Sequence, residues 1–125
     1  ELLVLAHGAG AGMYHQNMQR IAESMHRERI ATLRYQFPFR ERGGGRDSLE
    51  VSLSTVERAV ELAESLEPGL TLIAGGHSFG GRMTSIAASQ GQLCNVKGFV
   101  FFSSSSVHVS CLEQVHKASG RLVTL

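Results

Sequence analysis

Residues 70–83 read Leu70-Thr71-Leu72-Ile73-Ala74-Gly75-Gly76-His77-Ser78-Phe79-Gly80-Gly81-Arg82-Met83, and this stretch decides the fold. Leu70 to Ala74 is an apolar run of strand length. Gly75 to Gly81 is a glycine-rich turn, and Arg82 to Gln90 has helical composition. Within the turn, Gly76-His77-Ser78-Phe79-Gly80 fits G-x-S-x-G, the spacing of a nucleophile elbow between a strand and a helix. The steric reason is plain. A serine forced through a sharp strand-to-helix bend projects its Oγ above the sheet edge. Side chains at the flanking positions would meet the tight backbone, so Gly76 and Gly80 are glycine. The helix that follows turns its free N–H groups and positive dipole end toward the same point. The competing reading is a glycine-rich turn whose serine only caps the helix.

Working outward, Leu2 to Ala6 (LLVLA) is a continuous apolar run. Both its faces call for burial, as in a parallel sheet covered by helices. It runs into His7-Gly8-Ala9-Gly10-Ala11-Gly12, a loop that lets backbone approach a ligand closely. The spacing predicts a helix over Tyr14 to Arg27, with Tyr14, Met18, Ile21, Ala22 and Met25 on one stripe. Ile30 to Tyr35 reads as the second strand, ended by Pro38. Arg40 to Arg46 (RERGGGR) reads as a mobile surface loop. Asp47 and Glu50 have capping-box spacing. The helix behind them carries Leu49, Leu53, Val56, Val60 and Ala63 inward and Glu57, Arg58, Glu61 and Glu64 outward. Pro68-Gly69 ends it. Gly91 closes the helix after the elbow. Gly98 to Phe102 (GFVFF) and Arg121 to Leu125 (RLVTL) read as the fourth and fifth strands. Strands alternating with helices predict an α/β fold, a parallel sheet with helices on both faces. The 125 residues imply one domain over 1–125 with a lean core.

Composition excludes several functions. A formal net charge of +1 implies no nucleic-acid partner. No apolar run approaches the roughly 20 residues of a membrane span, and no basic-then-apolar leader is present. Cys94 and Cys111 have neither C-x-x-C nor zinc spacing. They read as free thiols of a reducing, cytoplasmic compartment. His15, His26 and His77 have no ligand spacing, so no metal is expected. Glu1 leads directly into a strand without an initiator methionine, so the expectation is a piece of a longer protein.

Both glycine-rich turns follow strands, and ligands bind such sheets beyond the C-terminal strand ends. The first turn fails as a dinucleotide fingerprint, because its third glycine position is Met13 and no acid ends the next strand. The second lacks the Gly-Lys-Ser/Thr of a phosphate-binding loop. Joined, the two turns make sense for acyl transfer. Attack by Ser78 Oγ on a carbonyl creates an oxyanion that needs two backbone donors. These are the amide of Phe79, which follows the nucleophile, and that of Ala9, which follows the Gly8 bend. His7 reads more simply as a ring that hydrogen-bonds its own loop than as a catalytic group.

LLVLAHGAGAGM, RYQFPF, LTLIAGGHSFGGRMTS and GFVFF together resemble the α/β-hydrolase superfamily. More narrowly, the chain is similar to a small family near the dienelactone hydrolases. That family includes the hydrolase-like domain of a regulatory subunit of a histone-acetyltransferase complex. The resemblance spans Leu2 to Phe102. It implies that Ser78 is the nucleophile and that Phe79 and Ala9 supply the oxyanion amides. It also implies that no cofactor is needed and that the substrate is a small ester or related acyl compound. Arg82 belongs to the narrower family and has no assigned chemistry. Ser103-Ser104-Ser105-Ser106 departs from the family, which usually has a glycine, an aromatic and prolines there. The triad acid and base normally follow the next strand, where the sequence stops. His108 and His116 are the only histidines after Ser78 in the sequence, and Glu113 is the only acid. His108, after a strand end, is the candidate base, while His116 and Glu113 read as surface. The expectations are a serine hydrolase core that is a poor catalyst alone, and self-association through an unpaired sheet edge. The alternative is a hydrolase-like interaction module without turnover.

Overall fold

The computed structural model describes residues 1–102 and the backbone of residues 122–124. In chain order the elements are β1 (Leu2–Ala6), α1 (Gln16–Arg27), β2 (Ala31–Tyr35), α2 (Pro38–Arg42), α3 (Leu49–Leu66), β3 (Leu72–His77), α4 (Phe79–Ser89), β4 (Gly98–Phe102) and β5 (Leu122–Thr124). The strands form one sheet in the order β2-β1-β3-β4-β5, with every pairing parallel. From β1 the chain first crosses outward to β2, then returns to place β3 on the other side of β1. The strand order therefore reverses between β1 and β3, the position at which open α/β sheets bind ligands.

Alternation along the strands sets the two faces. Leu2, Val4 and Ala6 of β1 join Leu72, Ala74, Phe99 and Phe101 beneath α3 and α4, which contribute Leu53, Val56, Val60, Met83 and Ala87. Leu3 and Leu5 face the other way with Ile73 and pack on Met18, Ile21 and Met25 of α1. Helices thus cover both faces, as expected, and the central strands are buried on both sides.

Several boundaries differ from the sequence reading. Tyr14 lies before α1 and is 78% exposed, because the helix starts only at Gln16, behind an N-cap at His15. The Arg40 to Arg46 segment is not all loop: Pro38 occupies the first turn of α2, where its missing N–H costs nothing. The α3 cap is Ser48, whose Oγ accepts from the Val51 N–H at 3.2 Å. Asp47 is drawn elsewhere, accepting from the Phe39 N–H at 3.0 Å and pairing with Arg42 at 3.1 Å. Its side chain is only 2% exposed, so these partners satisfy a buried carboxylate. Leu49, expected inward, is exposed in the first turn of α3. Glu57 and Glu64 do lie toward the surface, but they accept hydrogen bonds from Gln92 and Asn95. Gly91 closes α4 at φ 77°, a left-handed value that suits glycine.

Candidate active site

β3 runs to His77 and α4 starts at Phe79, so Ser78 alone makes the turn. The strand starts two residues later and ends three residues later than the Leu70 to Ala74 run suggests, since Gly75, Gly76 and His77 are strand residues. Neighbouring backbone dictates this. A Cβ on Gly76 would stand 2.7 Å from the Ala6 carbonyl oxygen and from the Gly80 carbonyl carbon. A Cβ on Gly80 would stand 2.5 Å from the His7 oxygen and 2.6 Å from Ala6 Cβ. Both lie below any real Cβ contact, so α4 can start this close to β1 only with glycine at those positions.

Ser78 has φ 50° and ψ −113°. Among the described residues only Arg29 shares its positive φ without being glycine. Ser78 occupies the N-cap position of α4, yet its side chain makes no capping hydrogen bond. The competing reading of a simple cap therefore fails. Its backbone is fixed instead, with its N–H on the Phe102 oxygen at 3.2 Å and its oxygen accepting from Arg82 N–H at 3.0 Å. A strained, half-buried serine whose hydroxyl is not spent on its own helix is the local geometry of an elbow.

The loop after β1 meets Ser78 across a cleft of about 240 Å³. Gly8, Ala9, Gly10, Ala11, His15, Asn17, Met18, His77 and Ser78 line it. Ala9 and Ser78 are thus brought to one site. Phe79 sends its ring to the opposite side, against Phe37 (5.2 Å between centroids) and Phe39 (5.7 Å), with the Arg46 guanidinium 5.4 Å above it. Its amide opens α4, where first-turn N–H groups have no intrahelical acceptor. The first turn of α4 carries no acid to compete for them.

His7 is wholly buried. The Phe37 N–H donates to its Nε2 at 2.9 Å, so the ring proton sits on Nδ1, which donates to the Gly8 oxygen at 2.7 Å. Burial lowers its pKa from the ordinary 6.5; the Gly8 carbonyl opposes the shift and Arg40 adds to it. The ring is a neutral strut between the first loop and the β2–α2 connection. Both of its nitrogens are occupied, so it does not serve as the base.

Two supports were not legible as such. Gln36 accepts the Met13 N–H at 2.8 Å, and Arg34 donates to the Met13 oxygen at 3.3 Å, tying the loop to the end of β2. Their place in RYQFPF, directly behind a strand, was the available signal. Burial also raises the Tyr35 phenol well above its ordinary value, so it stays protonated beside the aromatic cluster. His108, His116 and Glu113 lie outside the described residues. Among the described residues, no three His, Cys, Asp or Glu side chains gather as a metal site, and no helix is long and apolar enough to cross a membrane.

A parallel sheet with a strained serine between strand and helix, at the reversal of strand order, defines a hydrolase-type α/β fold. The chain belongs to the alpha/beta hydrolase domain family, which matches residues 1–104. Among solved structures it is similar to Est1E from Butyrivibrio proteoclasticus with ferulic acid bound. The TM-score is 0.70 at 21% identity, covering 84% of this chain and 43% of that one. It is similar also to a dienelactone hydrolase from Anabaena variabilis, with a TM-score of 0.65 at 18% identity, covering 99% and 73%. A putative α/β-superfamily hydrolase from Xanthomonas campestris gives 0.62 at 15%, covering 99% and 85%. At such identities these likenesses show the fold. The chain spans less than half the length of Est1E. No curated protein matches the sequence. The findings reach the superfamily and not the histone-acetyltransferase kinship.

Proposed function

We propose that this chain carries the nucleophile and oxyanion half of a serine hydrolase that cleaves a small ester or related acyl bond. The observation that carries the reading is Ser78 itself, held at φ 50° with no capping bond, on a cleft it shares with the Ala9 loop. In the reaction, Ser78 Oγ attacks the acyl carbonyl and its proton passes to a base. The carbonyl electrons move onto oxygen, where the Phe79 and Ala9 amides stabilise the charge. Collapse expels the alcohol, which takes up the proton, and leaves an acyl-serine that water hydrolyses by the same route. His108 is the base candidate that the sequence offers. No step calls for a cofactor.

The test is covalent labelling by a small fluorophosphonate, read by intact mass and peptide mapping. Modification at Ser78, abolished by Ser78→Ala, supports the hydrolase. A folded protein that stays unlabelled at millimolar reagent favours the hydrolase-like interaction module instead.

A further inference from the structure

We infer that the cleft beside Ser78 is a hydrogen-bond-donating subsite, in which His15 and Asn17 hold an accepting oxygen on the acyl arm of the substrate. This rests on the reading of Ser78 as the nucleophile, and it concerns a different part of the site. The donor state of His15 follows from its cap. The Asn17 backbone N–H donates to His15 Nδ1 at 3.1 Å. A backbone N–H can only donate, so Nδ1 carries the lone pair and the neutral ring holds its proton on Nε2. His15 therefore offers an N–H and is no base for Ser78. The Asn17 amide adds two donor hydrogens and one acceptor. No carboxylate lines the cleft.

The backbone that carries the two exposed donors is held in place. His15 N–H donates to the Gly12 oxygen at 3.1 Å, and its own oxygen accepts from Gln19 N–H at 3.1 Å. The loop before it is tied to β2 through Gln36 and Arg34. A fixed backbone, with the His15 ring anchored through Nδ1, leaves less freedom to lose on binding, which favours affinity. Buried Met18 with Ala9 and Ala11 gives the cleft an apolar wall. Its volume of about 240 Å³ falls short of the ~300–1,000 Å³ of sites that enclose a whole drug-sized ligand. The space suits one arm of a substrate, a short acyl chain with a keto or similar oxygen beyond the scissile carbonyl.

The test uses the full 125-residue chain carrying Ser78→Ala, so that ligands are not consumed. Methyl 4-oxopentanoate and methyl pentanoate, which differ by one oxygen, are titrated against it by ¹H–¹⁵N spectra of the histidine rings. The keto ester is expected to bind roughly three- to tenfold more tightly, the net effect of one hydrogen bond made in place of water, with the His15 ring signals moving. His15→Ser keeps a capping side chain but lacks the distal N–H. With helix content unchanged by circular dichroism, it should bring the two esters to parity, as should Asn17→Leu. Equal binding of the two esters to the parent protein overturns the inference, and so does a keto preference that survives both substitutions. Fluorophosphonate labelling of the Ser78-bearing chain reads the nucleophile separately. Labelling without keto preference sinks the subsite alone, and keto preference without labelling sinks the nucleophile alone.

Discussion

Replacing Ser78 by glycine should abolish chemistry and yet stabilise the protein, while Ser78→Ala abolishes chemistry without that gain. The backbone at φ 50°, ψ −113° lies outside the regions an L-residue prefers. Holding a non-glycine residue there costs on the order of 1–3 kcal/mol. Serine and alanine both carry the Cβ that makes the conformation costly, so Ser78→Ala leaves the strain in place. Glycine removes it, but gives back roughly 0.5–1 kcal/mol through the greater freedom of the unfolded chain. No capping bond is lost, since the hydroxyl makes none. The difference between the two variants should therefore be about 1 kcal/mol in favour of Ser78→Gly, or roughly 3–5 °C in Tm for a domain of this size. Paired urea and thermal unfolding of both variants checks it. If Ser78→Gly is no more stable than Ser78→Ala, the serine is not strained and the elbow argument loses its physical basis.

Gly80→Ala should destabilise by about 1–3 kcal/mol, despite alanine's better helix propensity, because the new methyl meets the His7 oxygen and Ala6 backbone; chemical denaturation reads this directly. The His7 ring is neutral in the fold with its pKa below 6.5, so below that pH the unfolded chain binds the extra proton. Its contribution is therefore whole above pH 6.5 and is lost as pH falls from there toward the folded-state value. Urea midpoints from pH 8 to 5 should show this slope, and His7→Gln should flatten it. Ser48→Ala should cost about 1 kcal/mol, whereas Glu50→Ala should cost only about 0.3–1 kcal/mol through the helix dipole; chemical denaturation reads both, and a larger loss at Glu50 than at Ser48 would restore the capping box that the geometry rejects. Trace hydrolysis of an activated ester should vanish with Ser78→Ala, and His108→Ala measured beside it tests the base assignment.

The sheet was legible because its strands are short unbroken apolar runs and its turns are glycine clusters, both set by local sterics. The elbow was legible for the same reason: Gly76 and Gly80 answer contacts so close that only one residue type fits. Misreadings arose where a distant partner decides. Asp47 has an acceptable capping spacing, but the Phe39 N–H and Arg42 claim its carboxylate and leave the cap to Ser48. Tyr14 lies on the helical stripe by arithmetic, yet His15 caps the helix and Gln16 starts it, two residues later. The His7 ring does hydrogen-bond its own loop, as expected, but it also accepts from the Phe37 N–H thirty positions on, which no local spacing reveals. Ala9 and Ser78 share a cleft, which the order of strands explains and neither turn reveals alone.

The placement of β1 in the middle of the sheet has a consequence during synthesis. β1 pairs with β3 in a register that sets Leu2 beside Leu72, and both faces of β1 end buried. A ribosome adding about 5–20 residues per second needs roughly 4–14 s to make the intervening chain. Through that interval the LLVLA strand has β2 available on one side and nothing on the other. It is an apolar, β-prone segment with an open edge, the kind that holdase chaperones grip and that nascent chains misuse to pair with one another. The residues of the β1 loop that will line the cleft beside Ser78 are made before β3, and they have no site to line until β3 has emerged. Yield from cells should therefore depend on translation speed and chaperone supply between the codons for Ala6 and His77 more than on the stability of the finished domain.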